Sequence, residues 1–251
     1  MPEYRAVAIA DSTLEGAYGH AIHKAFFGLP NVDLVALADP VPEPRSERAA
    51  EIGNPKEYSD YRDMLAAELP DLVSICPHHF KHHGRWLLEV IESGAKGIYI
   101  EKPITASLDE ADAVVAAAES AGTKIAVAHQ NRYRPGIRHV KQLVQDGALG
   151  TLKFMNANGK CDRRGGTHDL RVLGTHLLDV LRFIAGDVVW ATGHMQDHGR
   201  DVVVSDVYAG PQGLGEMAGD ALSGYFVFSS GATARFDSYK RESGAGTPWF
   251  G

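Results

Sequence analysis

Cysteine is nearly missing from this chain: Cys76 and Cys161 are the only two. They lie far apart in no metal-ligand spacing, which fits buried thiols in a reducing compartment. Basic charge is also short, with 25 Lys and Arg against 32 Asp and Glu and a net charge of -7. Phosphate-backbone binding needs a basic face, so nucleic acid is not expected as a partner and a small molecule is. Long apolar runs are absent too. Nothing approaches the ~20 residues that span a bilayer, and the opening Met-Pro-Glu-Tyr-Arg starts no signal peptide, so a cytoplasmic location is expected.

What is present is an ordinary globular composition, 44% hydrophobic and 23% charged over 251 residues, enough for one large domain or two ordinary ones. Apolar strands are read at 7–10, 32–38, 72–76, 98–100 and 125–128, with helices at 45–52, 61–69, 86–93 and 108–121 and a loop and helix within 16–27. Ser107 and Glu110 have the spacing of a capping box, and Gly122 closes the same helix. This β-α alternation predicts α/β architecture, with a parallel, helix-covered sheet of the dinucleotide-binding kind over residues 1–128. After about His129 the pattern changes. Helices at 137–145 and 170–184, and strands at 152–161, 188–195, 222–228 and 233–239, predict a second α/β domain over 129–251 with an open, largely antiparallel sheet. Residues 197–220, rich in Gly and Asp, read as one long loop, and 241–251 as a polar tail.

A dinucleotide site needs a Gly-rich turn after the first strand and an acid after the second. Asp39 ends the second strand, 20 residues after Gly19 (39 minus 19), and an aspartate there favours NAD over NADP, although Arg45 and Arg48 stand nearby. Gly16 and Gly19 keep the spacing of the second and third fingerprint glycines, while Leu14 stands where the first belongs. Asp11 and Glu15 would bring negative charge to a pyrophosphate, which Ser12 and Thr13 could offset as donors. The stretch Ile98-Tyr99-Ile100-Glu101-Lys102-Pro103 then delivers a lysine to the carboxyl end of a strand, where ligands of open α/β sheets bind.

In order along the chain stand Asp39, Cys76-Pro77 with His83, Glu101-Lys102-Pro103, Gln130-Asn131-Arg132-Tyr133-Arg134-Pro135, Asp146-Gly147-Ala148-Leu149-Gly150, and Gly174-Thr175-His176-Leu177-Leu178-Asp179. Together they resemble the glucose-fructose oxidoreductase, inositol dehydrogenase and rhizopine-catabolism (Gfo/Idh/MocA) family over nearly the whole chain. The resemblance implies a Rossmann domain, then a substrate and oligomerisation domain, and NAD(P)-dependent redox chemistry on a sugar, polyol or inositol-like hydroxyl. It also implies homo-oligomers through the second sheet. Family members usually run longer, so the same resemblance implies a fragment or a shortened variant, with the second sheet incomplete.

By resemblance, Lys102 holds the reacting oxygen, Glu101 fixes that lysine, and His176 is the acid/base. Ser12, Thr13, Gly16, Gly19, Asp39, Pro77, His83, Glu101 and Lys102 form the cofactor set. His176 and Asp179, three apart on one helix face, can reach one ligand or each other. Val172 occupies the place of the aspartate that family dehydrogenases commonly carry, and Asp169 is the residue able to substitute. Arg132 and Tyr133 suit a carboxylate or phosphate and a sugar face respectively, against a reading as linker surface. Arg163, Arg164, His168 and Asp169 flank the entrance of the His176 helix as specificity candidates. Of His78, His79, His82 and His83, four histidines in six residues, no metal set is read, since the sequence names no convergent ligands. Two rival readings stay open: a redox-neutral, NAD-dependent hydrolase or lyase, and a non-catalytic sensor or scaffold.

Overall fold

The structure is a computed structural model that describes residues 3–241. Apart from Arg241, the polar tail expected at 241–251 lies outside the described residues. The chain divides into two compact units, one running to Ala128 and including Pro211–Gly215, the other taking His129–Gly210 and continuing from Glu216.

In the first unit six strands form one sheet: β1 (Tyr4–Ile9), β2 (Val32–Ala38), β3 (Lys56–Tyr58), β4 (Leu72–Ile75), β5 (Gly97–Ile100) and β6 (Lys124–Val127). All pairs are parallel and the order is β3-β2-β1-β4-β5-β6. The order reverses between β1 and β4, the switch point beside which ligands of such sheets bind. The helices are α1 (Pro42–Ala50), α2 (Tyr61–Glu68), α3 (His83–Glu92) and α4 (Leu108–Ala121). Because successive side chains of a strand alternate in direction, Val7 and Ile9 join one buried cluster with Val73, Ile75 and Trp86. Ala6 and Ala8 join the other with Leu34, Leu37 and Ile52. Each large apolar side chain so buried contributes about 1.5–3 kcal/mol, and two such layers fix the sheet that carries the loops. The cap of α4 forms as the spacing predicts: the Ser107 hydroxyl accepts from Glu110 N at 3.2 Å. Glu110 reaches back to Ala106 N at 3.0 Å, one residue earlier than in the usual box.

The helix expected within 16–27 is instead a six-residue 3₁₀ segment, Gly19–Lys24. His20 and Ala21 break it with φ of 43° and 54°. Its entry is held from outside, because Gly19 N donates to Cys76 O at 2.9 Å and the Tyr18 hydroxyl to Asp39 at 2.7 Å. The short edge strand β3, Lys-Glu-Tyr in sequence, carries no apolar pattern and was invisible to periodicity.

The second unit contains α5 (Pro135–Gln145), β7 (Phe154–Asn158), α6 (Thr167–Asp169), a π-helical turn at Leu170–Gly174, and α7 (Thr175–Ala185). The single helix expected at 170–184 is therefore interrupted. There follow β8 (Val188–Asp197), β9 (Arg200–Asp201), β10 (Tyr208–Ala209), β11 (Glu216–Met217), β12 (Ala221–Phe228) and β13 (Thr233–Tyr239). The main sheet runs β7-β13-β12-β8-β9, antiparallel except for the β7–β13 pair. Leu181, Ala185, Phe228 and Phe236 are in its core. The stretch 197–220 is not one loop: it holds β9, the β10–β11 pair and 3₁₀ turns at Val204–Asp206 and Pro211–Gly213. Ladders of two residues are too short for sequence periodicity to register. Among the described residues no helix is long and apolar enough to cross a membrane.

Candidate active site

The first unit gathers most of the expected cofactor residues at the carboxyl ends of β1, β2, β4 and β5. Asp39, fully buried at the end of β2, accepts Ser12 N and Val41 N at 3.0 Å each on one oxygen. Its other oxygen accepts the hydroxyls of Ser12 at 2.6 Å and Tyr18 at 2.7 Å. Burial first, and then the bond to Asp39, push the Tyr18 phenol far above its ordinary value, so it remains a donor. Thr13 donates its N–H to Asp11 at 3.1 Å, and its hydroxyl bonds the same oxygen. Ser12 and Thr13, expected as donors to a pyrophosphate, are thus directed to carboxylates of the chain, because an ionised carboxylate is the stronger acceptor within their reach.

Gly16 lies in left-handed backbone at φ +76°, and its carbonyl accepts His78 N at 2.9 Å. At Gly19 a Cβ would meet His78 Cδ2 at 1.9 Å and Glu101 Cγ at 2.7 Å, so the His78 ring needs that glycine. Glu101 is fully buried and Lys102 is 5% exposed just beyond β5. The Glu101 carboxylate accepts Lys102 N at 2.9 Å through Oε2. Its Oε1 is paired with His20 Nδ1 and lies 3.6 Å from His78 Nε2. Burial lowers the His78 pKa, while Glu101 works the other way. His83, fully buried at the start of α3, stands 2.8 Å from both Pro77 O and Pro103 O and so ties the loop after β4 to the loop after β5. Burial lowers its pKa and the two carbonyls oppose that shift. His79 and His82 stack on each other at 6.1 Å, away from this pairing. Sequence reasoning missed Tyr18 and His20, since neither occupies a recognised motif position.

In the second unit His176 is buried on α7, with its ring edge-on to His129 at 5.6 Å. Arg132 grips Asp179 with two nitrogens, Nε at 3.0 Å, and His129 Nδ1 lies 3.4 Å from the same carboxylate. That bond raises the Arg132 pKa. Arg132 and Asp179, both expected to bind substrate, are therefore brought to each other. Tyr133 is 63% exposed. Asp169 is fully buried and accepts Lys160 N at 2.5 Å and the Ser238 hydroxyl at 2.8 Å on Oδ2. Among the described residues its Oδ1 has no hydrogen-bond partner. This oxygen is thus not hydrogen-bonded to His176, the role Asp169 was expected to fill in place of an acid at Val172. Burial raises the Asp169 pKa. Lys160 and Ser238 were missed in the sequence, because only the fold places β7 and β13 side by side.

A parallel sheet of order 3-2-1-4-5-6 with an acid after its second strand defines the first unit as a dinucleotide-binding Rossmann fold. Residues 14–129 match the GFO_IDH_MocA family model, described as an oxidoreductase family with an NAD-binding Rossmann fold. Over that stretch, less than half of its length, the chain is similar to the Gfo/Idh/MocA oxidoreductase family. It is 31% identical over 174 residues to a D-apiose dehydrogenase of Paraburkholderia graminis, a match covering 65% of this chain and 46% of that protein. To an inositol 2-dehydrogenase of Rhizobium meliloti it is 26% identical over 181 residues, 68% of this chain and 53% of the other. The crystal structure of the WlbA dehydrogenase of Bordetella pertussis, in complex with NADH and UDP-GlcNAcA, superposes with a TM-score of 0.72 at 19% identity, covering 95% of this chain and 71% of that one. The chain spans about half the length of the curated relatives it matches.

The residues of the first unit fit the cofactor that the family description names. Two hydroxyls on the Asp39 carboxylate are the contact a ribose diol would make. A bound ribose would exchange with Ser12 and Tyr18 at that acceptor.

Proposed function

We propose that the chain is an NAD-dependent oxidoreductase that moves a hydride between the nicotinamide and a CH–OH group of a sugar, polyol or inositol-like compound. The observation that carries this reading is Lys102, buried at the carboxyl end of β5, one strand beyond the switch point of the sheet. NAD, when bound, supplies the hydride acceptor. NADP is disfavoured, since Asp39 would repel a 2'-phosphate. Lys102 holds the substrate oxygen through its ammonium, and Glu101 fixes the loop by accepting Lys102 N at 2.9 Å. His83 braces the same loop through Pro103 O. His176 takes or returns the hydroxyl proton as general acid/base. The names of the relatives, dehydrogenases of D-apiose and of inositol, support the substrate class.

The test is to titrate NAD and NADP separately, then screen sugars and inositols for NADH production. Lys102→Ala is expected to lower turnover by at least ~10²-fold, as for a lost proton-handling group, with NAD affinity retained. Unchanged turnover overturns the assignment. We also place the protein in a reducing cytoplasm, supported by two buried, free cysteines, and as a homo-oligomer through the second sheet. The latter is supported by Val189 at 65%, Trp190 at 53% and Tyr225 at 38% exposure on β8 and β12.

A further inference from the structure

Three loops at the carboxyl end of the first sheet bring two imidazoles and a carboxylate together. His20 follows β1, His78 follows β4 and Glu101 follows β5. One ligand atom from each of His20, His78 and Glu101 lies within 4.8 Å of the other two. A tetrahedral zinc ion with bonds of ~2.0–2.1 Å holds its ligand atoms roughly 3.3–3.4 Å apart. The 3.6 Å between His78 Nε2 and Glu101 Oε1 is already close to that spacing.

Three features indicate a prepared ligand set beyond a chance ion pair. The Glu101 carboxylate is completely buried, and its Oε2 accepts Lys102 N, so Oε1 is the oxygen left facing the histidines. Such a carboxylate needs positive charge or donors near it, and an outer contact that orients a ligand is characteristic of metal sites. Nε2 of His78 is buried with no hydrogen-bond partner among the described residues, and a coordinate bond would satisfy it. His20 is held in left-handed backbone, φ 43° and ψ 19°, a conformation that is uncommon for residues other than glycine and collects at functional sites. Next to it Gly19 leaves the space that the His78 ring occupies.

We propose that His20, His78 and Glu101 form a binding site for a zinc-class transition-metal ion, with three protein ligands and a fourth position open. Two imidazoles with one carboxylate suit zinc better than magnesium or calcium, which prefer all-oxygen shells. The neighbouring Lys102 ammonium opposes a second cation, so the affinity is that of an open site and not of a closed structural one.

The experiment is a zinc titration of the metal-free chain, with affinity set by a competing chelator and stoichiometry by calorimetry. One zinc per chain is expected. His20→Ala, His78→Ala and Glu101→Gln should each weaken binding at least tenfold, and His198→Ala should not. That last variant removes the second cluster able to attract zinc, Asp197, His198 and Asp220. Cobalt loaded into the unmodified chain should give the intense visible bands of a low-coordinate site, which needs no variant to fold. No binding to the unmodified chain, loss of binding in His198→Ala, or full binding in His78→Ala overturns the proposal. The readout is metal alone, so the result is independent of the oxidoreductase reading.

Discussion

Gly19 has no room for a side chain, and one atom more should be felt across the site. In Gly19→Ala the new Cβ would meet His78 Cδ2 at 1.9 Å, and overpacking of this kind costs about 1–3 kcal/mol. A lower melting temperature together with weaker NAD binding in titration is the expected result; a variant equal to the parent in both would show that the His78 ring moves aside freely. Asp169 poses a different problem. Burial raises its pKa against the pull of Ser238 and Lys160 N, so the folded chain holds this proton more tightly than the unfolded chain does. Stability from this group is therefore greatest at low pH and falls as pH rises from the ordinary carboxylate range to the raised value. Asp169→Asn keeps an oxygen acceptor and removes the charge. The variant should be more stable than the parent at pH 7 and should lack that falling limb, as read from unfolding across pH; an identical slope would refute the assignment.

Among the elements, α4 shows local rules at work and the segment after β1 shows them overruled. Ser107, Glu110 and Gly122 delimit α4 at both ends as their spacing predicts. Ser107→Ala should cost about 1 kcal/mol by loss of the cap, seen as a lower denaturant midpoint with an unchanged slope; an unmoved midpoint would mean that packing alone holds the helix start. The segment Gly19–Lys24 has helix-forming neighbours, yet the Tyr18–Asp39 bond and the Gly19–Cys76 bond pin its entry and leave a kinked 3₁₀ turn. Neither bond is local in sequence, so no window of residues could reveal it.

For the whole molecule, the second sheet bears exposed aromatic rings, Trp190 and Tyr225, edge to face at 6.1 Å. Exposed apolar surface of this kind marks association sites when it is contiguous. If the chain assembles through this face, Trp190→Glu should shift sedimentation from oligomer toward monomer while circular dichroism stays unchanged. A parent protein that is already monomeric at micromolar concentration would dismiss the homo-oligomer.

The sequence by itself determined the parallel sheet, the change of pattern near residue 128, and the positions of Asp39, Glu101, Lys102 and His176. Those rest on periodicity, strand-end chemistry and motif order, all of which are written locally. Only the tertiary structure decided who touches whom. It turned Ser12 and Tyr18 toward Asp39, joined Arg132 to Asp179, and set His20 against Glu101, 81 residues away in sequence. The physical reason is that side-chain partners are selected by proximity after the sheet has formed, and strand order converts distant positions into neighbours. The histidine run at 78–83 illustrates both halves. Its spacing names no metal set, yet the fold separates His78 from His79 and His82 and pairs it with a histidine and a glutamate from two other loops.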